Sequence, residues 1–308
     1  MSVVNTPRRL IGRLYRKCAG PFGMRALDRM LRDGLPARLR SPLQFLLTGE
    51  ASSEAENVAD RIERLRADIA SRPAAYRFAH RPTSVGMARW PERAACSSAG
   101  PLLSSRWLAN SASVTRRWGL FLHLCAEAFE ARAILEMGAC VGISGAYLAS
   151  LRSCPRFITL EGSATLAPIA RATLAAVSSR ALIVHGPFDT SIQRALETFA
   201  HEHLPVDVAY IDGHHDEAAT LHYVRTLVPH LSSEALVILD DIHLYAEMWR
   251  AWQRVQSMRG AAAAVNVGRF GMLVWDGGAG VGRQYDLARY TGWWRVGGSR
   301  DVPRGWAP

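Results

Sequence analysis

The chain carries an acid, two glycines and a serine at a spacing that is typical of a ligand-binding turn. They are Glu136, Gly138, Gly142 and Ser144, within the run ILEMGACVGISGAY over residues 134–147. A short apolar run that contains a β-branched residue ends in the acid and then turns through the glycines into an Ala/Leu-rich segment. This order predicts a strand that delivers a loop onto the N-terminus of a helix, where backbone N–H groups favour an anionic ligand. Left-handed turn glycines without a ligand are the alternative interpretation.

Two further clusters of polar residues follow apolar runs later in the chain. Asp212-Gly213-His214-His215 follows one, and Asp240-Asp241-Ile242-His243 follows the next. If both runs are neighbouring strands, their carboxyl ends lie about 5 Å apart and bring three carboxylates together with the imidazoles. Like charges at this distance need protonation or a cation, and Mg²⁺ or Ca²⁺ binds oxygen ligands. The alternative is that Asp240 or Asp241 caps the helix that follows.

These residues require a parallel sheet to bring them to one edge. From about residue 111, strand and helix patterns alternate, which predicts an α/β fold. The predicted strands are 133–137, 157–160, 181–184, 206–211 and 235–239, followed by an antiparallel hairpin of 262–267 and 271–275. The predicted helices are 112–130, 142–152, 166–178, one from about 190, 216–230 and 245–258.

The flanking segments carry no catalytic pattern. Residues 1–110 are predicted to form a mostly helical extension, with helices over 8–32 and 53–70 and a loop over 72–106. This extension would serve as a lid, a dimer surface or a wall of the substrate pocket, and a homodimer is a possibility that the sequence leaves open. Residues 277–308 are a Gly/Arg/Trp-rich tail without periodicity, and we expect much of it to be mobile.

The composition is that of a globular protein with a basic surface. Of the 308 residues, 49% are hydrophobic and 21% are charged, and no apolar run reaches the length of about 18 residues that predicts a membrane span. The net charge of +10 comes almost wholly from arginine, and Lys17 is the only lysine. Because the arginines are dispersed and no aromatic–basic pattern accompanies them, nucleic acid is not expected as a partner. Five scattered cysteines without C-x-x-C spacing predict a reducing, cytoplasmic location.

The spacing acid-x-Gly-x-x-x-Gly differs from the dinucleotide pattern G-x-G-x-x-G, because Cys140 stands where that pattern requires its second glycine. It resembles motif I of class I S-adenosylmethionine-dependent methyltransferases. Residues 131–276 are similar to their catechol-O-methyltransferase-like branch through ILEMGACVGISGAYLA, ITLEGS, HGPFD, VAYIDGHH and VILDDIHLYAEMWRAW. The resemblance implies a doubly wound, mostly parallel seven-stranded sheet over residues 111–276, between the extension and the tail.

The resemblance also implies how the cofactor is held. The glycine loop would approach the methionine portion of S-adenosylmethionine, and Ser144 would add a hydroxyl bond. Glu161, at the end of the second strand, would accept the ribose hydroxyls, while Phe188 would flank the adenine or, equally well, pack in the core. The predicted cofactor-binding residues are Glu136, Gly138, Ala139, Gly142, Ser144, Glu161, Gly162, Phe188 and Asp212.

In the metal-dependent members of this branch, the resemblance places Mg²⁺ on Asp212, Asp240 and Asp241. Their general base is a lysine three residues after the strand-four acid, and here that position is His215. An imidazole with an ordinary pKa of about 6.5 is a competent base at neutral pH. We therefore predict His215 as the catalytic base, His243 as its substitute, and His214 and His222 as surface residues. A second departure is Ser232-Ser233-Glu234, where such enzymes commonly turn through Pro-Gly-Gly.

The resulting hypothesis is an S-adenosylmethionine-dependent O-methyltransferase that acts on a small-molecule or glycan hydroxyl, with possible help from Mg²⁺. Three alternatives remain open. An N-methyltransferase acting on protein or nucleic acid would suit the basic charge, although the Asn/Asp-Pro-Pro-aromatic motif of adenine N6 enzymes is missing. A nicotinamide oxidoreductase is disfavoured by the missing G-x-G-x-x-G. A non-catalytic nucleotide-binding module would keep the sheet and lose the chemistry.

Overall fold

The computed structural model describes residues 6–77 and 102–292. Most of the loop predicted over 72–106, with Cys96 in it, and the end of the predicted tail, 293–308, lie outside the described residues. The strands are β1 (Ala75–Arg77), β2 (Leu102–Ser104), β3 (Ala133–Met137), β4 (Arg156–Glu161), β5 (Ala181–His185), β6 (Val206–Ile211), β7 (Leu231–Leu239), β8 (Ala261–Asn266), β9 (Gly271–Trp275) and β10 (Arg283–Asp286).

The helices alternate with the strands from β3 onward, as the sequence predicts. They are α1 (Thr6–Arg32), α2 (Arg40–Thr48), α3 (Ser53–Ser71), α4 (Ser105–Trp107), α5 (Arg116–Ala128), α6 (Ile143–Ala149), α7 (Ala167–Ala175), α8 (Phe188–His201), α9 (Glu217–Leu227), α10 (Ala246–Val255) and α11 (Ala288–Thr291). The sequence analysis does not predict α2, and α6 is shorter than the helix expected over 142–152.

The main sheet has the order β10-β8-β9-β7-β6-β3-β4-β5. Within it, β9 runs antiparallel to β7 and β8, and the other neighbours are parallel. This confirms the predicted parallel sheet closed by a hairpin. The chain reverses its direction of winding between β3 and β6, and ligands of open α/β sheets bind outside the carboxyl ends of the strands at such a point.

The sheet is buried on both faces because helices cover both. Side chains such as Ile134, Tyr210 and Ile238 pack on the face covered by the N-terminal helices. Side chains one position away, such as Leu135 and Ile211, pack against α8, α9 and α10. Burial on both faces explains why the central strands are continuous apolar runs instead of alternating patterns.

The N-terminal extension shares its hydrophobic core with the sheet. Leu27, Leu46 and Ile62 belong to the same buried cluster as Phe121 and Tyr147. In addition, the Tyr147 hydroxyl donates to Glu63 at 3.0 Å, which ties α6 to α3. The division at residue 110 stays a prediction, but the extension packs directly on the sheet. No helix in the described ranges is long and apolar enough to cross a membrane.

The predicted tail contributes an eighth strand, so the expectation of a seven-stranded sheet is corrected to eight strands. Residues 283–286 form β10, which pairs in parallel with residues 263–266 of β8, and α11 follows. The side chains of β10 are mostly exposed, and its backbone bonds complete the edge of the sheet. Because an edge strand of this kind buries no alternating apolar face, it leaves no periodicity in the sequence.

Candidate functional site

The loop after β3 closes tightly against the neighbouring strands. The backbone N–H groups of Gly138 and Ala139 both donate to the carbonyl oxygen of Leu160, at 3.0 and 3.1 Å. Gly138 has φ +107°, and a Cβ at this position would overlap the carbonyl oxygen of Asp212. Gly142 has φ +85°, and a Cβ there would lie 3.1 Å from backbone atoms of α7. Both glycines are therefore required by conformation and by close approach.

Glu161, the last residue of β4, holds two loops together at the carboxyl edge. Its Oε2 accepts from the backbone N–H of Cys140 and its Oε1 from that of Ser163, both at 2.7 Å. Cys140 has φ +51°, a left-handed conformation that few residues other than glycine adopt. Burial raises the pKa of Glu161 to about 7, although the backbone N–H groups of Ser163, Cys140 and Gly162 favour its ionised form. The glycine loop is thus fastened to the acid of the adjacent strand.

Glu136 lies beneath this loop and is fully buried. Its Oε2 accepts from the hydroxyl of Thr159 at 2.6 Å, and Ser144 also favours the ionised carboxylate. Its Oε1 is buried and has no hydrogen-bond partner in the described part of the chain. Burial, reinforced by the negative charges of Asp212 and Glu161, raises the pKa of Glu136 to about 7. An orphaned carboxylate oxygen of this kind is stabilised by a cation.

The ends of β6 and β7 carry a second polar cluster. The hydroxyl of Tyr210 lies 2.6 Å from Oδ2 of Asp240 and 3.1 Å from Oδ2 of Asp212. Arg269, from the turn between β8 and β9, donates from Nε to Oδ1 of Asp240 at 2.7 Å and from Nη2 to Oδ2 at 2.6 Å. Burial opposes the ionisation of Asp240, but the Arg269 guanidinium holds the pKa of this carboxyl below its usual value.

His215 pairs with Asp212 at the mouth of this cluster. The Nε2 atom of His215 lies 3.4 Å from Oδ1 of Asp212, and about a quarter of the imidazole side chain is exposed. Burial would lower the pKa of His215, but the hydrogen bond and charge of Asp212 and the charges of Asp241 and Asp240 raise it to about 9. Burial and the charge of Asp240 raise the pKa of Asp212 to about 6. At neutral pH the imidazole is therefore cationic, whereas the sequence analysis assumes an ordinary pKa.

The predicted ligand set Asp212, Asp240 and Asp241 does not fit a divalent cation. Both oxygens of Asp240 already accept from Arg269, and Oδ1 also accepts from the backbone N–H of Asp241 at 2.6 Å. In the described ranges, no group of three or more His, Cys, Asp or Glu side chains is arranged to hold a metal ion. The alternative of a helix cap is also wrong, because the N-cap residue of α10 is Tyr245.

The structure places His243 against the other end of the cluster. Its Nε2 lies 3.2 Å from Oδ1 of Asn266, and its ring stacks on Trp249 with centroids 4.7 Å apart. Burial lowers the pKa of His243, so this imidazole is neutral at neutral pH. Its stacked and hydrogen-bonded position is that of a structural side chain, and its role as a substitute base stays a prediction.

Phe188 and His214 pack together on the opposite face of the sheet. Their ring centroids are 5.2 Å apart, and a Cβ on Gly213 would collide with the Phe188 ring. The Nδ1 atom of His214 lies 2.5 Å from the hydroxyl of Tyr223, and His214 is partly exposed, so the expectation of a surface residue stays a prediction for His214. It is correct for His222, whose side chain is 57% exposed. Phe188 belongs to the core cluster of this face.

Two residues of the site, Tyr210 and Arg269, are not among the predicted site residues. Tyr210 stands two positions before Asp212, and the period of a strand puts both side chains on the same face. Arg269 follows β8 in the predicted hairpin. Because β9 runs antiparallel beside β7, the β8–β9 turn must lie at the carboxyl edge of β7, where Asp240 is. Both signals are present in the sequence once the strand order is known.

The comparisons with known proteins agree with this architecture. A family model described as a methyltransferase domain matches residues 135–242. No curated protein matches the chain. Several solved structures are similar to it.

The first is an O-methyltransferase from Bacillus cereus in complex with SAH, with 18% identity and a TM-score of 0.47 over 71% of this chain and 90% of that chain. The second is the O-methyltransferase TomG of Streptomyces achromogenes, involved in tomaymycin synthesis, in complex with SAM, with 22% identity and a TM-score of 0.45 over 54% and 82%. The third is an SAH-bound methyltransferase of Podospora anserina, with 14% identity and a TM-score of 0.44 over 73% and 98%.

The matched family model covers β3 to the end of β7 and therefore includes the glycine loop, Glu161 and Asp212. Residues 135–242 therefore match a methyltransferase domain.

Proposed function

We propose that this chain transfers the methyl group of S-adenosylmethionine to a hydroxyl oxygen of a small-molecule or glycan acceptor. One observation carries the proposal: the glycine loop that follows β3 is fastened to Glu161, above a buried Glu136 with an orphaned oxygen. Two of the similar structures are O-methyltransferases. A cytoplasmic location and a homodimer stay predictions.

The residues at the carboxyl edge fit the cofactor. Each oxygen of Glu161 accepts one backbone N–H and keeps a second lone pair for a ribose hydroxyl. Glu136 offers negative charge for the cationic amino-acid portion. Gly138 and Gly162 are partly exposed and leave their backbone open to a ligand, whereas Ala139 and Gly142 are buried and shape the loop. The hydroxyl of Ser144 hydrogen-bonds Glu136, and Asp212 lies directly against Gly138 of the loop. Phe188 packs in the core beside Gly213, so we assign it to the support of the loop.

When bound, the cofactor supplies an electrophilic methyl group on a positively charged sulfur. The acceptor oxygen forms the new bond to carbon, the bonding pair of the old bond stays on sulfur, and the hydroxyl proton must go to a base. His215 is the proposed base. Because its Nε2 faces Asp212, Nδ1 is the nitrogen that takes the proton. Asp212 then stabilises the imidazolium that forms.

This assignment requires His215 to lose its resting proton first. With a pKa of about 9, only a small fraction of the imidazole is neutral at pH 7. This neutral form is a stronger base than an ordinary imidazole. The proposal therefore suits an acceptor whose hydroxyl is itself a weak acid, such as a phenol with a pKa of about 10. Turnover should rise with pH as the neutral imidazole becomes populated.

Calorimetric titration with S-adenosylhomocysteine tests the cofactor assignment. We expect saturable binding to the wild-type chain and about 10- to 100-fold weaker binding to Glu161→Gln, because the amide nitrogen would face a backbone N–H in place of a charge-assisted bond. Glu197→Gln is the matched control, since Glu197 is exposed on α8 and its variant should bind as the wild type does. Absence of binding to the wild type, or equal binding to Glu161→Gln, would contradict the proposal.

A further inference from the structure

Asp240 is fully buried, and hydrogen-bond donors satisfy both oxygens of its carboxylate. Its two oxygens accept from Nε and Nη2 of Arg269, from the backbone N–H of Asp241 and from the Tyr210 hydroxyl, at distances between 2.6 and 2.7 Å. A two-pronged guanidinium–carboxylate pair is among the strongest and most directional polar contacts in proteins. A metal ion could reach Asp240 only by displacing Arg269.

The fold builds this position for Arg269. The backbone carbonyl of Arg269 accepts from the N–H of Ile242 at 3.2 Å, which fastens the β8–β9 turn to the segment that follows β7. The guanidinium lies 5.5 Å from the centroid of the Phe270 ring, and its side chain is only 19% exposed. Its Nε is 3.9 Å from Oδ1 of Asp241, so one fixed cation lies beside both carboxylates that follow β7.

A fixed positive charge is present at this edge without any added ion. The Arg269 guanidinium lies 2.6 Å from Oδ2 of Asp240 and 3.9 Å from Oδ1 of Asp241. Like charges repel strongly where solvent is excluded, so a divalent cation would have to enter beside the guanidinium. Two of the three carboxylates that the sequence predicts for a metal are therefore already engaged by a side chain of the chain itself.

We infer that Arg269 takes the place of a divalent metal ion, so that its guanidinium organises Asp240, Asp241 and, through Tyr210, Asp212 for a metal-independent methyl transfer. That the site carries out methyl transfer rests on the proposed function. The exclusion of the metal by Arg269 does not depend on it. Arg269 is a positioning residue, because it acts on the base His215 through the carboxylates and not on the acceptor.

Titration with Mn²⁺, followed by the electron paramagnetic resonance of the free ion, tests the exclusion directly. We expect no saturable binding to the wild-type chain at concentrations up to about 1 mM, the weak end of protein sites for hard divalent cations. Arg269→Ala should gain a Mn²⁺ site at least tenfold tighter than any in the wild type. The double variant Arg269→Ala/Asp240→Asn should lose that site again. Arg269→Lys is the matched control, since it keeps a positive charge at the edge and should bind no Mn²⁺.

Stoichiometric, micromolar Mn²⁺ binding to the wild type that Asp240→Asn abolishes would overturn the inference, and this measurement requires no variant of Arg269. If Arg269→Ala folds, as checked by circular dichroism, and gains no site, the inference also fails. Calorimetry with S-adenosylhomocysteine in the presence of EDTA or of Mn²⁺ separates the two proposals. If the wild-type chain does not bind S-adenosylhomocysteine in either condition, the proposed function is contradicted. If Mn²⁺ raises the affinity of the wild-type chain for S-adenosylhomocysteine more than tenfold over EDTA, the inference about Arg269 is contradicted.

Discussion

Replacing Glu136 with glutamine removes a buried negative charge whose burial penalty exceeds the stabilisation by its hydrogen bonds. The glutamine oxygen can still accept from Thr159, and the amide nitrogen takes the position of the orphaned oxygen. The variant is uncharged at every pH and therefore resembles the protonated wild-type side chain. Any pH-dependent difference between the two chains reports the ionisation of Glu136.

The magnitude follows from the shift in pKa. Burial raises the pKa of Glu136 from 4.5 to about 7, and each unit corresponds to about 1.4 kcal/mol, so ionising this side chain in the folded state costs about 3 kcal/mol. Below about pH 4.5 the group is protonated in both states. Between about pH 4.5 and 7 the unfolded chain ionises first, so the free energy of unfolding falls as the pH rises, and above about pH 7 the penalty is complete.

Urea unfolding at pH 4.5, 6 and 8, followed by circular dichroism without added nucleoside, measures the effect. The difference in free energy of unfolding between Glu136→Gln and wild type should move by about 3 kcal/mol in favour of the variant from pH 4.5 to 8, with unchanged m-values. Glu161, which is also buried, is present in both chains, so only its charge interaction with Glu136 enters the difference. Glu197→Gln, at an exposed position of α8, should show no such trend.

A difference that stays constant within about 0.5 kcal/mol across this range would mean that Glu136 does not ionise against the fold. The orphaned oxygen would then have a partner that the described contacts lack. In that case the electrostatic reason for placing a cationic ligand group beside Glu136 would also fail.

The other predictions concern the base and the loop. His215→Ala should lower turnover by about 10²- to 10⁴-fold and leave the affinity for S-adenosylhomocysteine intact, and unchanged turnover would remove His215 from the mechanism. In the wild type, kcat/KM should rise about tenfold per pH unit up to about pH 9, because the pKa of His215 is raised to about 9. Asp212→Asn should move this limb to lower pH, and a limb that stays in place would show that another group is the base. Gly138→Ala should destabilise the fold by more than about 2 kcal/mol, because φ +107° and the carbonyl of Asp212 leave no room for a Cβ. Gly280→Ala, with nothing within 4 Å of the added Cβ, is its control in the same denaturation assay.

The sequence predicts the fold of residues 111–276 because its signals are local. These signals are short-range patterns: apolar runs of strand length, helical periods between them, and a hairpin after the fifth predicted strand. The structure has the corresponding elements as β3 to β9. The same patterns place Glu136, Glu161, Asp212 and Asp240 at strand ends. Strand β10 lacks such a pattern, since backbone pairing with β8 holds it while its side chains are mostly exposed.

The sequence by itself thus determined the type of sheet, the required glycines and the acids at its carboxyl edge. Tertiary structure alone decided what those acids do. Arg269 reaches Asp240 from 29 residues away in the chain, and this contact converts a predicted metal site into an ion pair. The pKa of His215 is likewise set by three carboxylates that two different strands bring together. The physical reason is that ionisation depends on burial and on distances between charges in space, and residue order alone fixes neither.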